Sequence, residues 1–172
     1  TVEKLKKAHP GMKGLILDLR GNPGGLLNEA VSTANLFLAK GDTVLSTRGR
    51  VANWNRVYRA DAEPLDTHIP LAVLTNSHSA SASEIVAGAV QDLDRGIIVG
   101  QRSFGKGLVQ TTRDLPYHSR VKITTAKYYT PSGRCIQAID YARRSEDGSL
   151  VVIPDSLKRD FFTRDGRIVM DG

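Results

Sequence analysis

Two short apolar runs, each ending in a turn that opens a helix, constrain this 172-residue chain more than any feature of its composition. The first, Gly14 to Arg20 (GLILDLR), has the length and content of a buried strand and stops at Gly21-Asn22-Pro23-Gly24-Gly25. From Leu26 the apolar residues Leu27, Ala30, Val31, Ala34, Phe37 and Leu38 recur at helical spacing, and Gly41 closes the segment. The second run, Pro70 to Thr75 (PLAVLT), passes through Asn76 to Ala80 into a helix from Ala82 to Leu93, then a third strand at Gly96 to Val99. Strand, turn and helix, met twice with a strand to follow, lead us to expect an α/β fold with helices packed on a mixed sheet.

Asp42 to Arg48 and Val51 to Arg59 alternate and read as a hairpin around Gly49. Gly105 to Thr112, Val121 to Thr125 and Lys127 to Thr130 read as strands, with Pro131-Ser132-Gly133 as a turn. Beyond Tyr141 the sequence turns polar and irregular, so residues 138–172 are expected to form an inserted or irregular arm after a core of residues 1–137. A chain 40% hydrophobic and 24% charged is globular in composition, and its apolar runs are far shorter than the roughly 18 residues of a membrane helix. Cys135, the lone cysteine, excludes an intramolecular disulfide and a thiolate-rich zinc site. His9, His68, His78 and His118 have no ligand spacing, and GNPGG matches neither a P-loop nor GxGxxG, so neither metal nor cofactor is expected. The net charge of +6 is spread from Lys4 to Arg167 with acidic neighbours throughout, which argues against a nucleic-acid partner.

Three features carry possible chemistry. In Ser77-His78-Ser79-Ala80-Ser81-Ala82-Ser83-Glu84, Ser81 and Glu84 have capping-box spacing. The same serine, at a strand-to-helix junction, also suits a nucleophile whose next amide, Ala82 N–H, is open to an oxyanion. In Phe104-Gly105-Lys106-Gly107-Leu108-Val109-Gln110, glycines flank a lysine, and extended backbone would put Lys106 and Gln110 on one face. The plain alternative is a solvated surface lysine. A lysine serves a serine as base only when neutral, so its pKa must fall from about 10.4 towards about 7–8 by desolvation, away from carboxylates. No acidic residue lies between Phe104 and Gln110, and Gln110 would orient the amine without stabilising its charge. The third feature is GNPGG, whose Gly24 and Gly25 amides are candidates for a second oxyanion donor. His78 is a rival base.

LILDLRGNPGG, SASASEIVAGAVQD, VGQRSFGKGLVQ and ITTAKYYTPSGRCIQ together resemble, in order and spacing from Gly11 to Gln137, the catalytic domain of the C-terminal processing peptidases, or tail-specific proteases. The resemblance implies Ser81 as nucleophile, Lys106 as general base, Gln110 completing the site, and an oxyanion hole of Ala82 N–H and a GNPGG glycine, Gly25 with Gly24 as the alternative. It implies a crotonase-like and ClpP-like core of repeated ββα units, a bacterial periplasmic or cell-envelope location, and protein substrates with unstructured C-terminal tails, a homo-oligomer being left open. Members of this family carry a PDZ domain before the LDLRGNPGG strand, and only ten residues precede Gly11, so the chain is expected to be an excised protease core. A non-catalytic peptide-binding scaffold is the competing expectation. An acyl-CoA enzyme on the related crotonase fold is weaker, having no use for Ser81, Lys106 and Gln110.

Overall fold

Leu15–Asp18 (β1), Leu71–Thr75 (β4) and Ile97–Gly100 (β5) form a three-stranded parallel sheet in the order β1-β4-β5. The computed structural model describes residues 2–144, 147–148 and 150–171. In register, Ile16 pairs with Ala72 and Ala72 with Ile97. Leu15, Leu17, Leu71, Val73 and Ile98 turn to the core, where Leu27–Asn35 (α2) and Ala82–Asp92 (α3) pack against each other. Ile16, Ile97 and Val99 turn outward and are exposed, so these runs, read in sequence as buried strands, are buried on one face only. α2 ends earlier than its periodicity suggests: Leu36, Phe37 and Leu38 leave the helix in a tight turn, with Phe37 and Leu38 still fully buried.

A second sheet, antiparallel, has the order β3-β2-β7-β6 and contains Thr43–Gly49 (β2), Arg56–Arg59 (β3), Leu108–Asp114 (β6) and Arg120–Tyr129 (β7). Val44 and Leu45 of β2 and Tyr128 of β7 join the same core as α2 and α3. The connection from β2 to β3 is longer than a turn at Gly49, because Ala52–Trp54 forms a single 3₁₀ turn. The two strands expected at Val121–Thr125 and Lys127–Thr130 are one, continuous through Ala126, with the pairing register shifting from Val109↔Ala126 to Gln110↔Thr124.

The arm expected to be irregular holds two hairpins, Ile139–Arg144 (β8) with Leu150–Val152 (β9), and Asp160–Phe162 (β10) with Ile168–Met170 (β11). The second docks at the C-terminal end of α3. Arg164 N–H donates to Asp92 O at 2.8 Å, Asp165 N–H to Asp94 at 2.6 Å, and the Arg164 guanidinium to Asp42 at 2.6 Å. Asp92 is the anchor here: its buried carboxylate accepts from Ser132 N–H (3.0 Å), Ser132 Oγ (2.7 Å) and Arg134 Nε (3.0 Å). β9, β10 and β11 are runs of three residues, which carry too little alternation to be read as strands.

Val2–Ala8 (α1) is held to the loop before β4 by the Lys6–Asp66 ion pair. The Lys6 ammonium, then the N–H groups of His68 and Ile69, hold the Asp66 carboxyl well below the usual carboxylate range. A depressed carboxylate pKa contributes stability that is full above about pH 4 and is lost as pH falls towards the folded-state value. Asp66→Asn is therefore expected to melt lower than the native chain at neutral pH and to show a flatter decline between pH 5 and 2; parallel declines would contradict this. Asp92→Ala leaves the mostly buried Arg134 guanidinium without its carboxylate, and a loss of about 3–5 kcal/mol is expected in urea unfolding.

Candidate active site

The two strand-to-helix turns sit side by side because β1 and β4 are neighbours, and they are latched together. Ala80 N–H donates to Asn22 O at 3.0 Å and Gly21 N–H to Asn76 Oδ1 at 2.9 Å. Ser79 Oγ donates to Leu19 O at 2.7 Å, and Ser83 Oγ to Asn22 O at 3.1 Å. Two serines of the serine-rich turn are thus spent on the latch, Ser79 with no solvent exposure at all. Ser81, between them, is half-buried and stands at the turn's apex.

Ser81 has φ 57° and ψ −114°, a left-handed conformation that a residue with a Cβ adopts at a cost of about 1–3 kcal/mol. A strained strand-to-helix turn of this kind projects a nucleophile's hydroxyl away from the sheet. Gly24, at φ 94°, lies against the same turn: a Cβ there would meet Ala80 O at 2.5 Å and Ala82 N at 2.7 Å, so only glycine allows this approach. Gly24 N–H is already donated to Asn22 Oδ1 at 2.9 Å. Among the described residues the N–H groups of Gly25 and Ala82 have no acceptor. Beside them Leu19, Leu26, Ala30, Ala82 and Val86 line a mostly apolar pocket of about 190 Å³.

The Glu84 carboxylate, 5% exposed, joins this turn to the segment before β6. Its Oε2 accepts from Ser81 N–H at 2.8 Å and from Lys106 N–H at 2.8 Å, so the two nitrogens lie no more than twice that distance apart. Its Oε1 accepts from Ser103 Oγ at 2.7 Å and Gly105 N–H at 2.6 Å. The capping-box reading of Glu84 is correct, yet the box reaches further than the helix it begins. The sequence around Lys106 lacks acids, but the fold brings one to its backbone.

The rest of the glycine-lysine-glycine segment is gripped equally. Gly107 N–H donates to Gln137 Oε1 at 2.8 Å, and Gly105 O and Gly107 O accept from Ala138 N–H (3.0 Å) and Tyr128 N–H (2.7 Å). These partners replace a regular ladder, so β6 begins at Leu108 rather than at Gly105. Gln137, buried on the far side of the segment, was not found by sequence reading, because a glutamine after a turn carries no signal of its own.

Lys106 and Gln110 are exposed, and among the described residues neither hydrogen bond nor ion pair engages the Lys106 amine. The desolvation expected of a lysine base is thus missing within the described residues: the backbone is clamped from below, and nothing walls the amine from above. The His78 ring meets the Ser77 hydroxyl at 3.5 Å, and among the described residues no hydrogen bond joins it to Ser81. Burial pushes the Cys135 thiol up, which keeps it protonated and a poor nucleophile. Among the described residues no cluster of His, Cys, Asp or Glu could hold a metal ion.

The model of peptidase family S41 matches residues 1–143. The chain is 54% identical over 130 residues to a carboxy-terminal-processing protease of Bartonella bacilliformis, covering 74% of this chain and 29% of that protein. It is 45% identical over 129 residues to the chloroplastic C-terminal processing peptidase of Tetradesmus obliquus, covering 75% and 27%. Among solved structures, a photosystem II D1 C-terminal processing protease superposes with a TM-score of 0.70 at 38% identity, over 87% of this chain and 36% of that one. The chain spans less than a third of the length of these two curated relatives.

Glu84→Ala leaves three N–H groups and a hydroxyl without their acceptor, at about 1–3 kcal/mol for each that stays buried. We expect urea unfolding to show a loss of at least about 3 kcal/mol, and a smaller loss for Glu84→Gln, which keeps the shape and one acceptor oxygen. Equal stability of Glu84→Ala and the native chain would contradict the geometry.

Proposed function

Since the chain belongs to peptidase family S41 and is related to C-terminal processing proteases, we propose that it carries a Ser81-Lys106 serine-peptidase site that cleaves polypeptides near their C-termini. The observation that supports this most is the shared Glu84 Oε2, which holds the Ser81 and Lys106 backbones within a few ångströms of each other. In this reading neutral Lys106 takes the Ser81 proton as Oγ attacks the scissile carbonyl. The oxyanion rests on Ala82 N–H and Gly25 N–H, which have no acceptor among the described residues, rather than on Gly24 N–H, which Asn22 occupies. The ammonium then protonates the leaving amine, and water repeats the sequence on the acyl-enzyme.

β6 is an edge strand that starts two residues after Lys106, so an extended tail can pair along it past Gln110. Such a substrate would cover Lys106 and exclude water from its amine. We place the protein in the bacterial periplasm or cell envelope, acting on proteins with unstructured C-terminal tails, and read residues 1–137 as its protease core and residues 138–172 as an inserted arm.

The exposure of Lys106 favours a second reading, a peptide-binding scaffold without catalysis. Covalent labelling by a serine-directed phosphonate separates the two. Labelling mapped to Ser81, lost in Ser81→Ala and slowed by about a thousandfold in Lys106→Ala, is the expected result. A folded chain that is never labelled would establish the scaffold reading.

A further inference from the structure

The fold gathers charge that the sequence spreads. Between Thr43 and Arg59 there are four arginines and no carboxylate; between Leu108 and Tyr129 there are two arginines and two lysines against Asp114 alone. The two hairpins of the antiparallel sheet, their turns included, therefore carry seven net positive charges, more than the +6 of the whole chain. The even spread along the sequence does not survive folding, because both hairpins enter one sheet.

The two hairpin turns leave the same end of that sheet. β2 ends at Gly49 opposite Ala126, whereas β7 and β6 continue together to Arg120 and Asp114. Six further residues of β7 at about 3.4 Å each carry the β6–β7 turn roughly 20 Å past the last β2 pair. At the tips stand large apolar and aromatic side chains: Trp54 is 55% exposed, Leu115 48% and Tyr117 98%.

The β6–β7 turn is also made from residues that suit it badly. Ser119 N–H returns to Pro116 O at 3.4 Å, and the central residues Tyr117 and His118 have φ of 60° and 56°. Two left-handed central residues define a type I′ turn, whose natural occupants are Asn and Gly. A tyrosine held in this conformation and turned wholly to solvent gains nothing from the fold that holds it. Local rules broken without structural return mark functional positions.

We propose that the tips of the β2–β3 and β6–β7 hairpins dock on an anionic lipid surface, Trp54, Leu115 and Tyr117 entering the headgroup region and the arginines and lysines behind them meeting lipid phosphates. Aromatic and leucine side chains ahead of a basic band match the polarity gradient of a bilayer interface. An acidic protein or a nucleic acid would satisfy the charge but would leave the apolar tips without a purpose. This docking is independent of the peptidase reading and needs no catalysis to be detected.

Flotation of the full 172-residue chain with vesicles tests it, and Trp54, the only tryptophan, reports contact directly. The chain should float with phosphatidylglycerol–phosphatidylcholine vesicles and not with phosphatidylcholine alone, with a blue shift of Trp54 emission. Tyr117→Asn/His118→Gly should raise the melting temperature, by relieving the turn, while weakening the partition coefficient about tenfold; Arg113→Glu/Lys122→Glu should weaken it by about tenfold or more. No flotation, flotation unchanged in both double variants, or binding to polyglutamate or DNA with no uptake on vesicles would each overturn the proposal.

Discussion

The Glu84 carboxylate is the interaction on which the rest of the site depends. Its four short contacts bind three backbone N–H groups and one hydroxyl from segments that are remote in sequence and belong to different layers. Ser81 opens the helix on the parallel sheet, and Lys106 precedes the first strand of the antiparallel sheet's edge hairpin. A buried carboxylate surrounded by fixed donors is costly to leave unpaired, so each donor is held in place by the penalty for its departure. The two sheets are thereby joined at the point where the chemistry would take place.

That clamp explains how strain is tolerated nearby. The left-handed Ser81 costs an amount comparable to one good hydrogen bond to a charged group, and its own N–H makes such a bond. The Ser79 and Ser83 hydroxyls tie the flanks of the turn to Leu19, just after β1, and to Asn22 of GNPGG, leaving Ser81 no room to relax. On the lysine side, backbone contacts from Gly105 to Gly107 fix the main chain and leave the amine free to meet a substrate. The result is rigid backbone beneath and open side chains above, a division suited to an edge strand that receives a peptide.

Much of this was legible in the sequence, for physical reasons. Short apolar runs ending in glycine or serine turns announced β1, α2, β4 and α3, and the spacing from Ser81 to Glu84 announced the capping box. The meaning of Glu84 was only half legible: spacing shows the reach back to Ser81 but not the reach across to Lys106, which needs the third dimension. Gln137 was invisible for the same reason. The exposure of Lys106 contradicted an expectation drawn from chemistry alone, since composition says nothing of which walls surround an amine. Strands β9, β10 and β11 are too short to show a period, and charge spread along a chain does not reveal which strands pair into one basic sheet.

Amide hydrogen exchange at Ser81, Gly105 and Lys106 tests the central claim most directly. If one buried carboxylate holds all three, their N–H groups should be strongly protected, and Glu84→Gln should lower their protection together while that of Val73 in β4 stays nearer the native level. Protection no greater than that of surface turns, or loss at Ser81 without loss at Gly105 and Lys106, would contradict the account.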